Sequence, residues 1–133
     1  QKSVDAGARF LVSPVVDEVV IAAANELGVA SMPGTHTPTE MLRAHRAGAQ
    51  LCKLFPAPAG GPGWVKSVLG PLPDLKIVPT NGVDESNIAQ WKAAGVFAMG
   101  FVAPLFVPED IAAGRWDEIE ARAGRMIAAV QSA

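Results

Sequence analysis

Lys53 is the one ionisable amine in the apolar run LCKLFPA, residues 51–57, and prolines and glycines crowd in behind it. A strand turns successive side chains to opposite faces, so Leu51, Lys53 and Phe55 share one side and Cys52 and Leu54 the other. An amine that points into an enclosed sheet is poorly solvated as a cation. Desolvation favours the neutral form, and a neutral amine is the nucleophile that forms a Schiff base with a ketone. Phe55, two residues on, supplies an apolar wall, and Pro56 ends the strand, which puts the lysine near a strand's C-terminal end. Periodicity alone leaves a second reading open, in which Lys53 lies on an edge strand and extends its amine to solvent.

The elements that must position this lysine repeat along the whole chain. Short apolar runs at 9–14, 29–34, 51–57, 75–80 and 96–101 read as strands. Each is followed by a segment of helical period: 17–27 with Val20, Ala23, Ala24 and Leu27 on one face, 37–47, 63–69, 84–95 with Asp84 as cap, and 115–132. The last of these carries an apolar stripe of Trp116, Ile119, Ala123, Met126, Ile127 and Val130. Thr37-Pro38-Thr39-Glu40 has the form of a capping box with proline in the first turn. PEDIAAG, 108–114, reads as a short turn. Alternating strands and helices imply a parallel sheet, and strands apolar throughout imply that both faces are covered. The reading is one α/β domain over residues 1–133 with about five β/α units. These suit an open doubly wound sheet or the C-terminal five-eighths of a (β/α)8 TIM barrel. No G-x-G-x-x-G follows the first strand, and the chain opens on what reads as a helix end, as though units preceded it.

Composition narrows the function classes. The 133 residues are 50% hydrophobic and 18% charged with a net charge of −2, a globular profile. No basic surplus exists to neutralise phosphates, which argues against nucleic acid as a partner. No apolar stretch approaches the roughly 20 residues of a membrane span, and no signal peptide is recognisable. The single cysteine, Cys52, has no internal disulfide partner, so a reducing, cytoplasmic compartment is the expectation. Cys52 faces away from Lys53 and reads as a small core residue. His36 and His45 lack carboxylate or cysteine neighbours at metal-ligand spacing, so no metal is read; His36, after the second strand, is a minor candidate for substrate contact. Gly60–Gly63 lacks the following lysine and hydroxyl of a phosphate loop and reads as a tight connection. The three tryptophans, Trp64, Trp91 and Trp116, read as packing or subunit-contact residues.

The segment KLFPAPAGGPGWVKSVLGPLPDLKIVPTNG, 53–82, closely resembles the region around the Schiff-base lysine of the 2-keto-3-deoxy-6-phosphogluconate aldolases, which are grouped with 4-hydroxy-2-oxoglutarate aldolase. DAGARFLVSP and MPGTHTPTE, 5–14 and 32–40, resemble that family's fourth and fifth barrel strands and their loops, in order and with matching spacing. The resemblance implies a class I aldolase acting on a 2-keto-3-deoxy sugar acid or 4-hydroxy-2-oxoglutarate, without a cofactor. Lys53 would attack the C2 ketone, and cleavage of C3–C4 would yield pyruvate and an aldehyde. Thr80 would bond the substrate, Phe55 and Pro33 would wall the pyruvate pocket, and Asn81, Gly82 and Gly100 would line the acceptor end. A homotrimer is implied in the same way.

Three departures accompany the match. The family's acid/base glutamate, and an arginine and threonine that hold the carboxylate, lie on early strands absent here, and Glu40 reads as a helix cap. The family's T-G-G is Thr80-Asn81-Gly82, and its G-x-G-S is Gly100-Phe101-Val102-Ala103, so phosphate binding is expected to be weakened. With the first three units missing, this chain alone is expected to lack its proton shuttle and to associate through an open inner face. The competing functional reading is a non-catalytic barrel that binds a phosphate or sugar acid, or an assembly subunit.

Overall fold

A computed structural model of the chain describes residues 1–132. After a one-turn helix α1 (Lys2–Asp5), four strands alternate with helices: β1 (Phe10–Ser13), α2 (Glu18–Glu26), β2 (Ala30–Thr35), α3 (Pro38–Arg46), β3 (Cys52–Leu54), α4 (Gly61–Leu69), β4 (Ile77–Pro79) and α5 (Ile88–Ala93). α6 (Pro108–Ala112) and α7 (Trp116–Ser132) follow. The strands form one parallel sheet in chain order, β1-β2-β3-β4. No helix among the described residues is long and apolar enough to cross a membrane.

The fifth strand expected at 96–101 does not form. The segment runs beside β4 and donates two backbone bonds to it, Phe97 N–H to the Ile77 carbonyl and Gly100 N–H to the Pro79 carbonyl, both 2.9 Å. The donors are three positions apart and the acceptors two, so one residue is left over and a regular ladder cannot continue. A side chain at Gly100 would put its Cβ 2.9 Å from Thr80 Cγ2, so only glycine lets the segment approach β4 this closely.

Helix ends follow local chemistry. Asp17 accepts the Val19 and Val20 N–H groups at the start of α2. At α3 the capping box forms as read: Thr37 Oγ1 accepts from the Glu40 N–H, and Glu40 Oε2 accepts from the Thr37 N–H at 2.7 Å. Asp84 departs from its expected role. Its carboxylate is taken up by the Ser86 N–H and hydroxyl, and α5 begins only after Asn87.

The helices cover one face of the sheet. Cys52, Leu54 and Ile77, pointing that way, pack with Ile21, Met41, Val65 and Trp91. Burying a side chain of this size contributes roughly 1.5–3 kcal/mol. The buried face of α2 is Ile21 and Ala24, whereas Val20, expected inside, is 40% exposed. The helix EVVIAAANE is apolar almost all round, so only the packing against β2 selects the stripe. Similarly, α7 buries Met126 but leaves Trp116 and Ile127 largely exposed. The segment read as a turn at 108–114 contains α6, and its Asp110 is buried between Arg115 and Arg122 at 2.7 and 2.6 Å. These guanidiniums, Arg122 first, hold the Asp110 carboxyl below the usual carboxylate range.

Candidate active site

Lys53 occupies the middle of β3, paired with Gly34 of β2 and Val78 of β4. Because Cys52 and Leu54 point into the helix-covered core, Lys53 faces the other, open side of the sheet. There it lines a cleft of about 380 Å³ together with Phe55, Thr80, Asn81, Gly82 and Gly100. The amine stands 5.0 Å from the centre of the Phe55 ring, a cation–π distance. Val12 of β1 and Val102, Ala103 and Pro104 of the 97–107 segment close the cleft with apolar surface. A hollow of about 340 Å³ between α2 and α3 holds the ion pair Glu18–Arg43 and is lined further by Thr39 and Leu42.

Strand ends and turn chemistry bring these groups together. β3 stops at Leu54, and the Phe55 N–H donates to the Thr35 carbonyl at 3.1 Å, holding the ring at the strand's C-terminal end. The Thr80 N–H donates to the Leu54 carbonyl, fixing Thr80 against β3. Its Oγ1 is buried and has no hydrogen-bond partner among the described residues. Gly82 adopts φ +72°, the left-handed turn by which the chain leaves β4, and its carbonyl accepts from Asn87 Nδ2 and Trp91 Nε1. Among the described residues only glycines take positive φ, so Asn81 does not use the left-handed conformation open to it. Instead its Oδ1 accepts the Ala57 N–H at 3.1 Å.

Six of the seven site residues read from the sequence thus share one cleft. Pro33 does not: it is fully buried within β2, outside the lining. His36 also lies outside the lining, stacked on Trp64 with ring centres 6.5 Å apart, and its Nδ1 lies 3.0 Å from the Pro56 carbonyl. Sequence reading missed Val12, although alternation from β1 would have found it. It also missed the bonds of His36 and Asn81 to the segment after β3, for which no local signal exists. Among the described residues no carboxylate lines the cleft. Glu40, at the nearby cap, accepts from the His36 and Thr37 N–H groups and the Thr37 hydroxyl, which hold its carboxyl below the usual range, the His36 bond most strongly. Cys52 is an inert core thiol that burial pushes up to about 11.

Known proteins resemble the chain in sequence and in fold. A Rhizobium meliloti (strain 1021) protein named for 2-dehydro-3-deoxy-6-phosphogalactonate aldolase activity is 40% identical over 109 residues, 81% of this chain and 51% of its own. The 2-dehydro-3-deoxy-phosphogluconate aldolase of Pseudomonas aeruginosa is 34% identical over 119 residues, 86% of this chain and 53% of its own. The chain therefore spans about half the length of the curated relatives it matches. A solved native KDPGal structure superposes with a TM-score of 0.85 at 30% identity, covering 98% of this chain and 64% of that one. A Legionella pneumophila KDPG aldolase, solved with pyruvate captured as a covalent carbinolamine, gives 0.80 at 27% identity over 95% of this chain and 60% of that one. The partial parallel α/β barrel seen here is the fold these proteins share, and the family model for KDPG and KHG aldolase matches residues 1–122: the chain belongs to the KDPG and KHG aldolase family.

Proposed function

We propose that this chain carries the Schiff-base half of a class I aldolase that splits a 2-keto-3-deoxy sugar acid, or 4-hydroxy-2-oxoglutarate, into pyruvate and an aldehyde. The observation that carries the reading is the placement of Lys53 on the open face of the sheet, in a cleft with Phe55 and Thr80. The Lys53 amine adds to the C2 ketone to give a carbinolamine, the species captured in the Legionella relative. Loss of water leaves an iminium, which accepts the electron pair as C3–C4 breaks and the acceptor hydroxyl gives up its proton. Protonation of the resulting enamine and hydrolysis release pyruvate and restore the amine. The Thr80 hydroxyl, buried and without a partner among the described residues, is poised to bond the substrate. Phe55 forms the apolar wall, and Asn81, Gly82 and Gly100 line the end where the aldehyde half would lie.

The proton transfers need an acid/base that the cleft lacks, and such groups typically contribute about 10²–10⁴ in rate. Residues 1–133 are therefore read as the C-terminal portion of a longer (β/α)8 TIM barrel, supported by the half-length match to the relatives. It also takes the working form as a cytoplasmic homo-oligomer, a trimer by family resemblance, with a small-molecule substrate. One relative of the same fold, 30% identical, belongs to a cage designed by fusing symmetric oligomeric domains, which supports self-association. A second reading, a binding barrel without catalysis, draws on the acceptor end, where Asn81 is spent on Ala57 and Ala103 has no hydroxyl.

Borohydride reduction in the presence of pyruvate separates the two. The aldolase reading expects a reduced pyruvyl adduct on the peptide that contains Lys53. An unmodified Lys53 under conditions that trap a known class I aldolase would leave the binding reading standing.

A further inference from the structure

We propose that His36 and Asn81 act together as a clamp on a single peptide group, Pro56–Ala57, and through it position Phe55 and the Lys53 cleft. The Pro56 carbonyl and the Ala57 N–H are the two polar ends of one peptide plane. His36 Nδ1 lies 3.0 Å from the carbonyl, and since a carbonyl only accepts, the imidazole carries its proton on Nδ1 and donates it there. On the other side, Asn81 Oδ1 accepts the Ala57 N–H at 3.1 Å. One arm comes from the loop after β2 and the other from the loop after β4, so the segment leaving β3 is held between its two neighbours.

Both arms are themselves anchored. The His36 N–H donates to Glu40 Oε2 at the cap of α3, and the His36 ring stacks on Trp64 of α4. Asn81 is followed by Gly82, whose carbonyl is held by Asn87 Nδ2 at 2.9 Å and Trp91 Nε1 at 3.3 Å. Phe55, directly before the clamped peptide, has its own N–H bonded to Thr35 and its ring 5.0 Å from the Lys53 amine. A peptide fixed at both ends limits how far that ring swings from the amine. His36 and Asn81 are positioning residues here, since the action reaches the nucleophile through Phe55. Asn81 stands where the family pattern has glycine, so its arm of the clamp requires a side chain that pattern lacks.

The inference rests on the aldolase reading only for its kinetic readout, so two measurements are paired in the protein. One is the rate of borohydride-trapped pyruvate adduct; the other is backbone amide exchange at Ala57, which needs no chemistry at Lys53. His36→Phe keeps a ring against Trp64 and removes the donor. It should slow adduct formation about 2- to 10-fold, the range that corresponds to one hydrogen bond, and speed Ala57 exchange. His36→Asn keeps a donor at the δ position and discards the ring, and it should recover most of both. Asn81→Ala should speed Ala57 exchange independently. Combined with His36→Phe it should cost less than the product of the two single effects, because both arms hold the same peptide. The clamp is overturned if His36→Phe leaves both readouts at wild-type values, if His36→Asn behaves no better than His36→Phe, or if the two losses simply multiply. Absence of any adduct in the wild type, with Ala57 exchange still responding to both arms, would retain the clamp and reject the aldolase reading.

Discussion

The two faces of the same four strands are built to opposite ends. On the covered face Cys52, Leu54 and Ile77 are at most 2% exposed and packed by helices on every side. On the open face Phe10, Val12 and Phe55 are roughly half exposed, and the sheet's one centrally placed amine, Lys53, stands among them. Neighbours in sequence are therefore placed differently: Leu54 holds the sheet to its helices, and Lys53, one residue earlier, turns its amine to the cleft. Rigidity comes from the first face, and it is what allows the second to stay unfilled. A lysine turned to the covered face would have to desolvate its charge against Met41 and Val65, in a cluster of core residues that holds no carboxylate.

The sharpest way to break this contrast is at Lys53. Lys53→Met keeps the volume and removes the amine. Pyruvate trapping should fall to background while the thermal transition barely moves, and an adduct that survived would place the nucleophile elsewhere. One position on, the outcome should invert. Leu54→Ala opens a cavity in a fully buried site and should cost about 2–5 kcal/mol in a urea titration. A loss below 1 kcal/mol would show that the covered face is not where stability resides.

Asp110 extends the comparison to the α6–α7 corner, where a carboxylate is buried with two arginines in place of an apolar contact. Its folded pKa is depressed, so its contribution is present above the unfolded value of about 3.9 and is lost as pH falls through the folded value. Asp110→Asn should lower the urea midpoint at neutral pH, and the gap from wild type should close in acid. A gap that persisted unchanged at low pH would mean that packing, not charge, holds the corner. Thr37→Ala, which removes the capping box of α3, should cost about 1 kcal/mol. Circular dichroism of the thermal transition would read it, and no change would show α3 held by packing alone. The smallest effect belongs to the open face: Val12→Ala should shift stability by no more than about 0.5 kcal/mol. A loss comparable with Leu54→Ala would show that the open face is packed after all.

What the sequence determined by itself is whatever depends on neighbours within a turn or a pleat. The alternation of short apolar runs with helical segments placed four of the five expected strands, and the spacing Thr37 to Glu40 specified a cap that forms within four residues. The two-residue period of a strand put Lys53 and Phe55 on one side and Cys52 and Leu54 on the other, and six of seven site residues did converge. The tertiary structure decided everything that needs a distant partner. Whether 96–101 becomes a strand depends on its fit to β4, where three residues face two. Which stripe of the apolar helix α2 is buried depends on where β2 lies. Asp110 is a surface acid until α7 brings Arg122, twelve residues on, to meet it. His36 and Asn81 lie 45 positions apart, and no periodicity links them. They act on one peptide because adjacent parallel strands deliver their C-terminal loops to the same end of the sheet, and only the assembled sheet brings those loops side by side.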